Sequence, residues 1–192
     1  GHILVIMPFG VKLKILELRG LPASLLIKIV HAYGGILGPA HPYGEKFMSM
    51  ITTTMRKEKY KEKITALMPQ FDFVEIYNAC ESEETNAKAR KLAEEYNKPG
   101  FGGSDAHRLD CIGMAYSEFP ETVRSEDDLI AFVKTCPKIE CGGTHYERTT
   151  KGKIGKLNEV IVDSFYVYNK VANGWRGRKR RRELDSIIEN KL

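Results

Sequence analysis

The sequence predicts an α/β protein built on parallel strands. Two observations predict it. Segments of strand and helix character alternate along the 192 residues, the arrangement of successive βαβ units. Residues with metal-binding chemistry fall at the ends of the strand-like segments, and α/β folds carry their functional side chains at strand C-termini. The chain is long enough to bury a real core, and its composition is that of an ordinary soluble domain.

Each element has its own signal. His2-Ile3-Leu4-Val5-Ile6-Met7 is an unbroken apolar run, the pattern of a strand buried on both faces. Residues 8–22 fit a helix or a further strand equally well. Pro22-Ala23-Ser24 opens a helix with Leu25, Leu26, Ile29 and Val30 on one side, and Gly34-Gly35 ends it. Ile36 to Pro42 is an apolar strand broken by prolines. Residues 45–54 read as a loop or excursion. A helix from about Lys57 to Met68 stops at Pro69. Phe71–Asn78 is the next strand, and residues 82–97 are strongly helical. Gly102-Gly103-Ser104-Asp105-Ala106-His107 reads as a short strand after the turn at Asn97-Lys98-Pro99-Gly100. Residues 113–119 suit a further strand. Ser125 followed by Glu126-Asp127-Asp128 marks a helix start, an N-cap with acids in the first turn. Ile139–Gly143 is a short strand or turn. Helices are expected over about 155–171 and 180–190. We place the domain boundary between 1–145 and a helical, basic extension over 146–192.

The net charge of +5 belongs to one segment. Arg176, Arg178, Lys179, Arg180, Arg181 and Arg182 carry it, and the remainder is close to neutral. The four cysteines have neither CxxC nor dense spacing, which suits free thiols in a reducing compartment. No apolar run reaches membrane-spanning length. A cytoplasmic protein is expected. The chain opens on a strand without an initiator Met, so it is expected to be the C-terminal part of something longer.

Four residues carry the metal chemistry. In a strand, side chains two apart share a face, so Asp105 and His107 would project together, an oxygen beside an imidazole. That pairing suits Zn, Mn or Fe. His41, between Gly38-Pro39-Ala40 and Pro42, is either a loop histidine held by the proline turn or a ligand. His2 is either a frayed terminal residue or a ligand. Together they form a donor set for a multi-metal hydrolytic site, where metals lower the pKa of water and clamp phosphate oxygens. Glu75, between Val74 and Ile76, faces a solvated edge or a polar interior, because burial without a partner is costly. Asn78 is suited to an Asx-turn. His31 and His145 read as a helix-surface and a loop residue.

Gly1-His2-Ile3-Leu4, Gly34 through Pro42, Val74-Glu75-Ile76-Tyr77-Asn78 and Gly103-Ser104-Asp105-Ala106-His107 stand in that order. They resemble the later motifs of the PHP family, the polymerase and histidinol phosphatase metal-dependent phosphoesterases. The resemblance covers about residues 1–120. It implies the later strands and helices of a distorted seven-stranded, TIM-like β/α barrel, with up to three divalent metals at the strand C-termini. It implies His2 and His41 as two ligands of one metal, Asp105 as the carboxylate of a second and His107 as an imidazole on the third. Glu75 and Asn78 are then pocket residues. The family's opening His-x-His strand, the Asp or His and further His that follow it, and its bridging Glu have no counterpart in this chain. The missing half of the barrel, or self-association, is the expected partner. The implied activity is hydrolysis of a phosphate ester by metal-activated water, on a small phosphorylated metabolite or a nucleotide.

A different reading rests on Trp175 beside Arg176, Arg178, Lys179 and Arg180. Arginines neutralise phosphates and an aromatic can stack on a base. The chain would then be a catalytically incomplete fragment serving as a structural or nucleic-acid-binding module.

Overall fold

Strand β1, Ile3–Ile6, pairs antiparallel with β2, Ile36–Pro39, with Ile3 opposite Pro39 and Ile6 opposite Ile36. The computed structural model describes residues 1–17, 21–44, 49–51 and 62–146. The expected helix from Lys57 is described only from 62, where 62–65 are helical. The helices expected over 155–171 and 180–190, the rest of the 146–192 extension beyond Tyr146, and Trp175, Arg176, Arg178, Lys179 and Arg180 lie outside the described residues.

The described residues divide between two compact units. Gly1–Val11 and the chain from Tyr33 belong to one, and Lys12–Ala32 to the other. In the second, helix α1 spans Ala23–Ala32 and buries Ile27, Ile29 and Val30. Pro22 starts it, its carbonyl accepting from the amides of Leu25 and Leu26. Within the ambiguous stretch 8–22, residues 14–17 make a single 3₁₀ turn, and 18–20 lie outside the described residues.

The first unit carries the sheets. Strand β3, Val74–Asn78, runs parallel to β4, Gly100–Gly103. Helix α2, Glu83–Glu95, connects them. Its N-cap is Ser82, whose hydroxyl accepts from the Thr85 amide at 3.2 Å, satisfying an orphan donor. Thr85, Asn86, Ala89, Leu92 and Ala93 form its buried side. Strand β5, Ala115–Glu118, pairs antiparallel with β6, Glu140–Gly143. Between them helix α3, Glu126–Lys134, is capped by Ser125, which accepts from Asp128 N.

Among the described residues the strands thus form three two-stranded sheets, a mixed α/β architecture and not a closed seven-stranded barrel. The expectation of parallel strands holds only for β3–β4. Alternation of strand and helix does not fix direction, since a chain can cross a helix and still return antiparallel at an edge. β1 is such an edge: Leu4 is 40% exposed, which corrects the reading of 2–7 as buried on both faces. Side chains stitch the sheets together. Asp72 Oδ2 accepts from Leu37 N at 2.9 Å, while Asp72 N donates to Leu37 O at 2.8 Å. Ser117 Oγ accepts from Gly102 N at 2.8 Å, bringing β5 to β4.

The core gathers Ile36, Phe73, Ile130, Val133 and Ile139, with Phe101, Phe119 and Phe132 packed against it. Ring centroids of Phe73 and Phe101 lie 4.4 Å apart, and those of Phe101 and Phe119 5.7 Å apart, within the range of favourable aromatic pairs. This core fixes β2, β3 and β4 side by side, and their C-terminal ends carry the candidate site.

Candidate functional site

A bulge builds the site. In a regular strand Glu75 and Asn78, three apart, would point to opposite faces. The β3–β4 register shifts between Glu75 and Tyr77, an extra residue of the β-bulge kind. Glu75 and Asn78 therefore meet: Asn78 Nδ2 donates to Glu75 Oε2 at 3.1 Å. The same oxygen accepts from His41 N at 2.6 Å, so the bulged strand holds the loop after β2. Glu75 faces the polar interior, not a solvated edge; it is 5% exposed. Burial pushes its carboxyl up to about 7 against the two hydrogen bonds, and the Asp105 and Glu81 charges add to the rise.

Asn78 belongs to the framework. Its Oδ1 accepts from Cys80 N at 3.1 Å, the Asx-turn expected of it. Its backbone amide donates to Asn86 Oδ1 at 2.9 Å, and Asn86 Nδ2 donates to the Asn78 carbonyl at 3.2 Å. Helix α2 thus caps the end of β3. The side chain is 1% exposed and hydrogen-bonds to both Glu75 and Cys80.

The histidines face each other. His41 has φ of 30°, a region that non-glycine residues seldom occupy, and the turn aims its ring at the head of β1. His41 Nε2 stands 3.3 Å from His2 Nδ1, with the rings nearly perpendicular at a centroid distance of 5.3 Å. His2 is held, since its carbonyl accepts from Ala40 N at 3.2 Å. On its other side His41 Nδ1 lies 3.1 Å from the buried Ser49 Oγ. A proton on Nδ1 toward Ser49 leaves the Nε2 lone pair directed at His2. Burial lowers the His41 pKa and His2 lowers it further, while Asp105 and Glu81 oppose. The neutral ring, the form that binds metals, is favoured.

Asp105 and His107 are not on a strand. β4 ends at Gly103, and Asp105 has φ of 49°. The alternation that would have paired their side chains does not operate, because the backbone turns left-handed before His107. They meet differently. His107 Nδ1 lies 2.8 Å from the Asp105 carbonyl and 3.7 Å from its Oδ1. Asp105 Oδ2 accepts from Cys80 Sγ at 3.1 Å. The Asp105 side chain is mostly buried and that of His107 is 66% exposed.

Sequence reasoning missed Ser49, Cys80, Glu81 and Tyr146. Ser49 and Glu81 are buried and converge on Gly44, where a Cβ would strike both side chains. Only the placing of an acidic residue, Glu81, three positions past the end of β3 offered a signal. Cys80 and Tyr146 reach Asp105 from 25 and 41 residues away, and no local pattern encodes that. The four cysteines are free, Cys136 and Cys141 included. No helix among the described residues is long and apolar enough to cross a membrane.

A divalent cation imposes a spacing on its donors. Two nitrogens at about 2.1 Å from one tetrahedral ion stand roughly 3.4 Å apart, and the His2–His41 separation of 3.3 Å fits that. Among the described residues no three His, Cys, Asp or Glu side chains are gathered as a metal-holding group. The same 3.3 Å is also the distance of a hydrogen bond between the two rings, so the pair offers two nitrogens with no third donor gathered on them among the described residues.

Residues 83–135 match the model of the family described as PHP-associated. The match is consistent with the C-terminal part of a PHP domain. It takes in α2, β4, β5 and α3 with Asp105 and His107; His2, His41 and Glu75 lie outside it. An uncharacterized protein of Methanocaldococcus jannaschii is 43% identical over 58 residues, covering 29% of this chain and 24% of that protein. The aligned stretch is thus about a quarter of that relative's length. No solved structure matches the chain.

Proposed function

We propose that residues 1–145 are the later part of a PHP-type β/α barrel whose metal site hydrolyses a phosphate ester. The observation that carries this reading is the His2–His41 clip, two imidazole nitrogens facing each other at 3.3 Å. His2 and His41 would hold one cation. Asp105 and His107 would supply donors to neighbouring ones, His107 through Nε2, since its Nδ1 is turned to a backbone carbonyl as ligating histidines usually are. Zn, Mn or Fe suits these donors, and when bound supplies Lewis-acid activation of water and charge neutralisation at phosphate. Glu75 orients the His41 turn through its backbone amide. A small phosphorylated metabolite or a nucleotide is the substrate class. Further barrel strands or a second copy as partner, and a cytoplasmic location, belong to the same proposal.

The test is elemental analysis of the purified chain beside an Asp105→Ala, His107→Ala double mutant, followed by hydrolysis of an aryl phosphate. Near-stoichiometric metal is expected in the parent chain, and the double mutant should lose the share held through Asp105 and His107. Full metal retention by the mutant, or metal-loaded protein without phosphatase activity, would overturn the reading.

A further inference from the structure

The turn that presents Asp105 is braced by a tyrosine distant in sequence. Tyr146 Oη lies 2.6 Å from the Ser104 carbonyl and 3.0 Å from the Asp105 carbonyl, and donates its one proton between them. Its own backbone amide donates to Ala79 O at 2.9 Å. Ala79 precedes Cys80, whose thiol donates to the Asp105 carboxylate. Tyr146 therefore grips the two chain segments that meet at Asp105. It follows β6, and that end is itself tied down: Thr144 N donates to Met114 O at 2.7 Å.

The brace has work to do. Asp105 has φ of 49°, a left-handed conformation that few non-glycine residues adopt and that neighbouring contacts help to hold. Two consecutive carbonyls tied to one hydroxyl are such contacts. The Asp105 carbonyl also faces His107 Nδ1 at 2.8 Å, so the same turn sets the His107 ring. A phenol that fixes this turn fixes both candidate donors.

We propose that Tyr146 is a positioning residue for the metal site, setting Asp105 and His107 without touching the ion. This rests on the reading of Asp105 as a ligand. The experiment uses Co²⁺ as probe on the full chain and compares wild type, Tyr146→Phe, Asp105→Ala and the core control Ile130→Val. Affinity is read by chelator competition and geometry by the visible spectrum of bound cobalt.

Tyr146→Phe keeps the ring and loses only the hydroxyl. It is expected to weaken cobalt binding about tenfold, as loss of an outer partner of a ligand does, and to alter the spectrum. Ile130→Val is expected to lower stability and leave both readouts unchanged. Unchanged affinity and spectrum in Tyr146→Phe, with binding lost in Asp105→Ala, would overturn the brace and leave the metal reading standing. Cobalt held equally by Asp105→Ala, or not bound by wild type, would overturn both.

Discussion

The Glu75 carboxylate fills the space that a side chain on Gly103 would need: a Cβ built there falls on Oε1. The bulge in β3 and the bare backbone of β4 are thus one device. Gly103→Ala forces the carboxylate away from His41 N and Asn78 Nδ2, both of which it serves. A loss of about 1–3 kcal/mol is expected from overpacking, measured by urea unfolding. Glu75→Ala in the same chain removes the collision, so the double mutant should lose less than the sum of the singles. Additive losses would show that the two positions do not compete for space.

Helix α3 gives a simpler case. Ser125 Oγ accepts from Asp128 N at 3.1 Å, and three acidic residues fill the first turn. Ser125→Ala should cost about 1 kcal/mol, while Ser125→Asp, which keeps an acceptor at the cap, should restore most of it. Equal losses in both variants would mean that the cap contributes nothing.

Features of this local kind were legible in the sequence. Ser125 and its acids, the helix stop at Gly34, and helix α2 with its Ser82 start are written within a few residues of where they act. The direction of pairing was not. β1 and β5 run antiparallel to their partners because of where the chain returns, and a period of two is the same in either direction. The Asp105 turn was hidden for a related reason. Gly102-Gly103-Ser104 suits an extended backbone, and the left-handed φ at Asp105 is stabilised by Tyr146 and Cys80, which are distant in sequence. His41 and Glu75 were both picked out, yet their bond is between a backbone amide and a carboxylate, which side-chain patterns do not report.

The thiols should react in an order set by exposure. Cys136 is exposed, Cys141 half-buried, and Cys80 and Cys111 buried. Burial pushes the Cys141 thiol up, and the Glu140 charge adds to this against the Ser117 hydrogen bond. Its thiolate fraction near neutral pH is therefore reduced, and the thiolate is the reactive form. Iodoacetamide labelling followed by mass spectrometry should mark Cys136 first. Cys141 should label slowly near neutrality and accelerate as pH rises past the ordinary thiol range. Cys80 and Cys111 should label last unless the chain is unfolded. Early labelling of Cys80 would show that the Asp105 loop opens in the native protein.

The sharpest test of the clip is a double-mutant cycle on His2 and His41. If one cation is held between their facing nitrogens, each single replacement by alanine removes half of the same two-point grip. Zinc affinity should then fall at least about tenfold in either single mutant, no less than for loss of an outer partner. The second replacement, made where the first is already gone, has little chelation left to destroy and should cost less than it does alone. Stability supplies the control. His2 is an exposed residue, so His2→Ala should move the metal-free unfolding midpoint less than His41→Ala does, since His41 is buried against Ser49. Equal, additive affinity losses would mean that the rings serve different ions, and unchanged affinity in both singles would mean that they serve none.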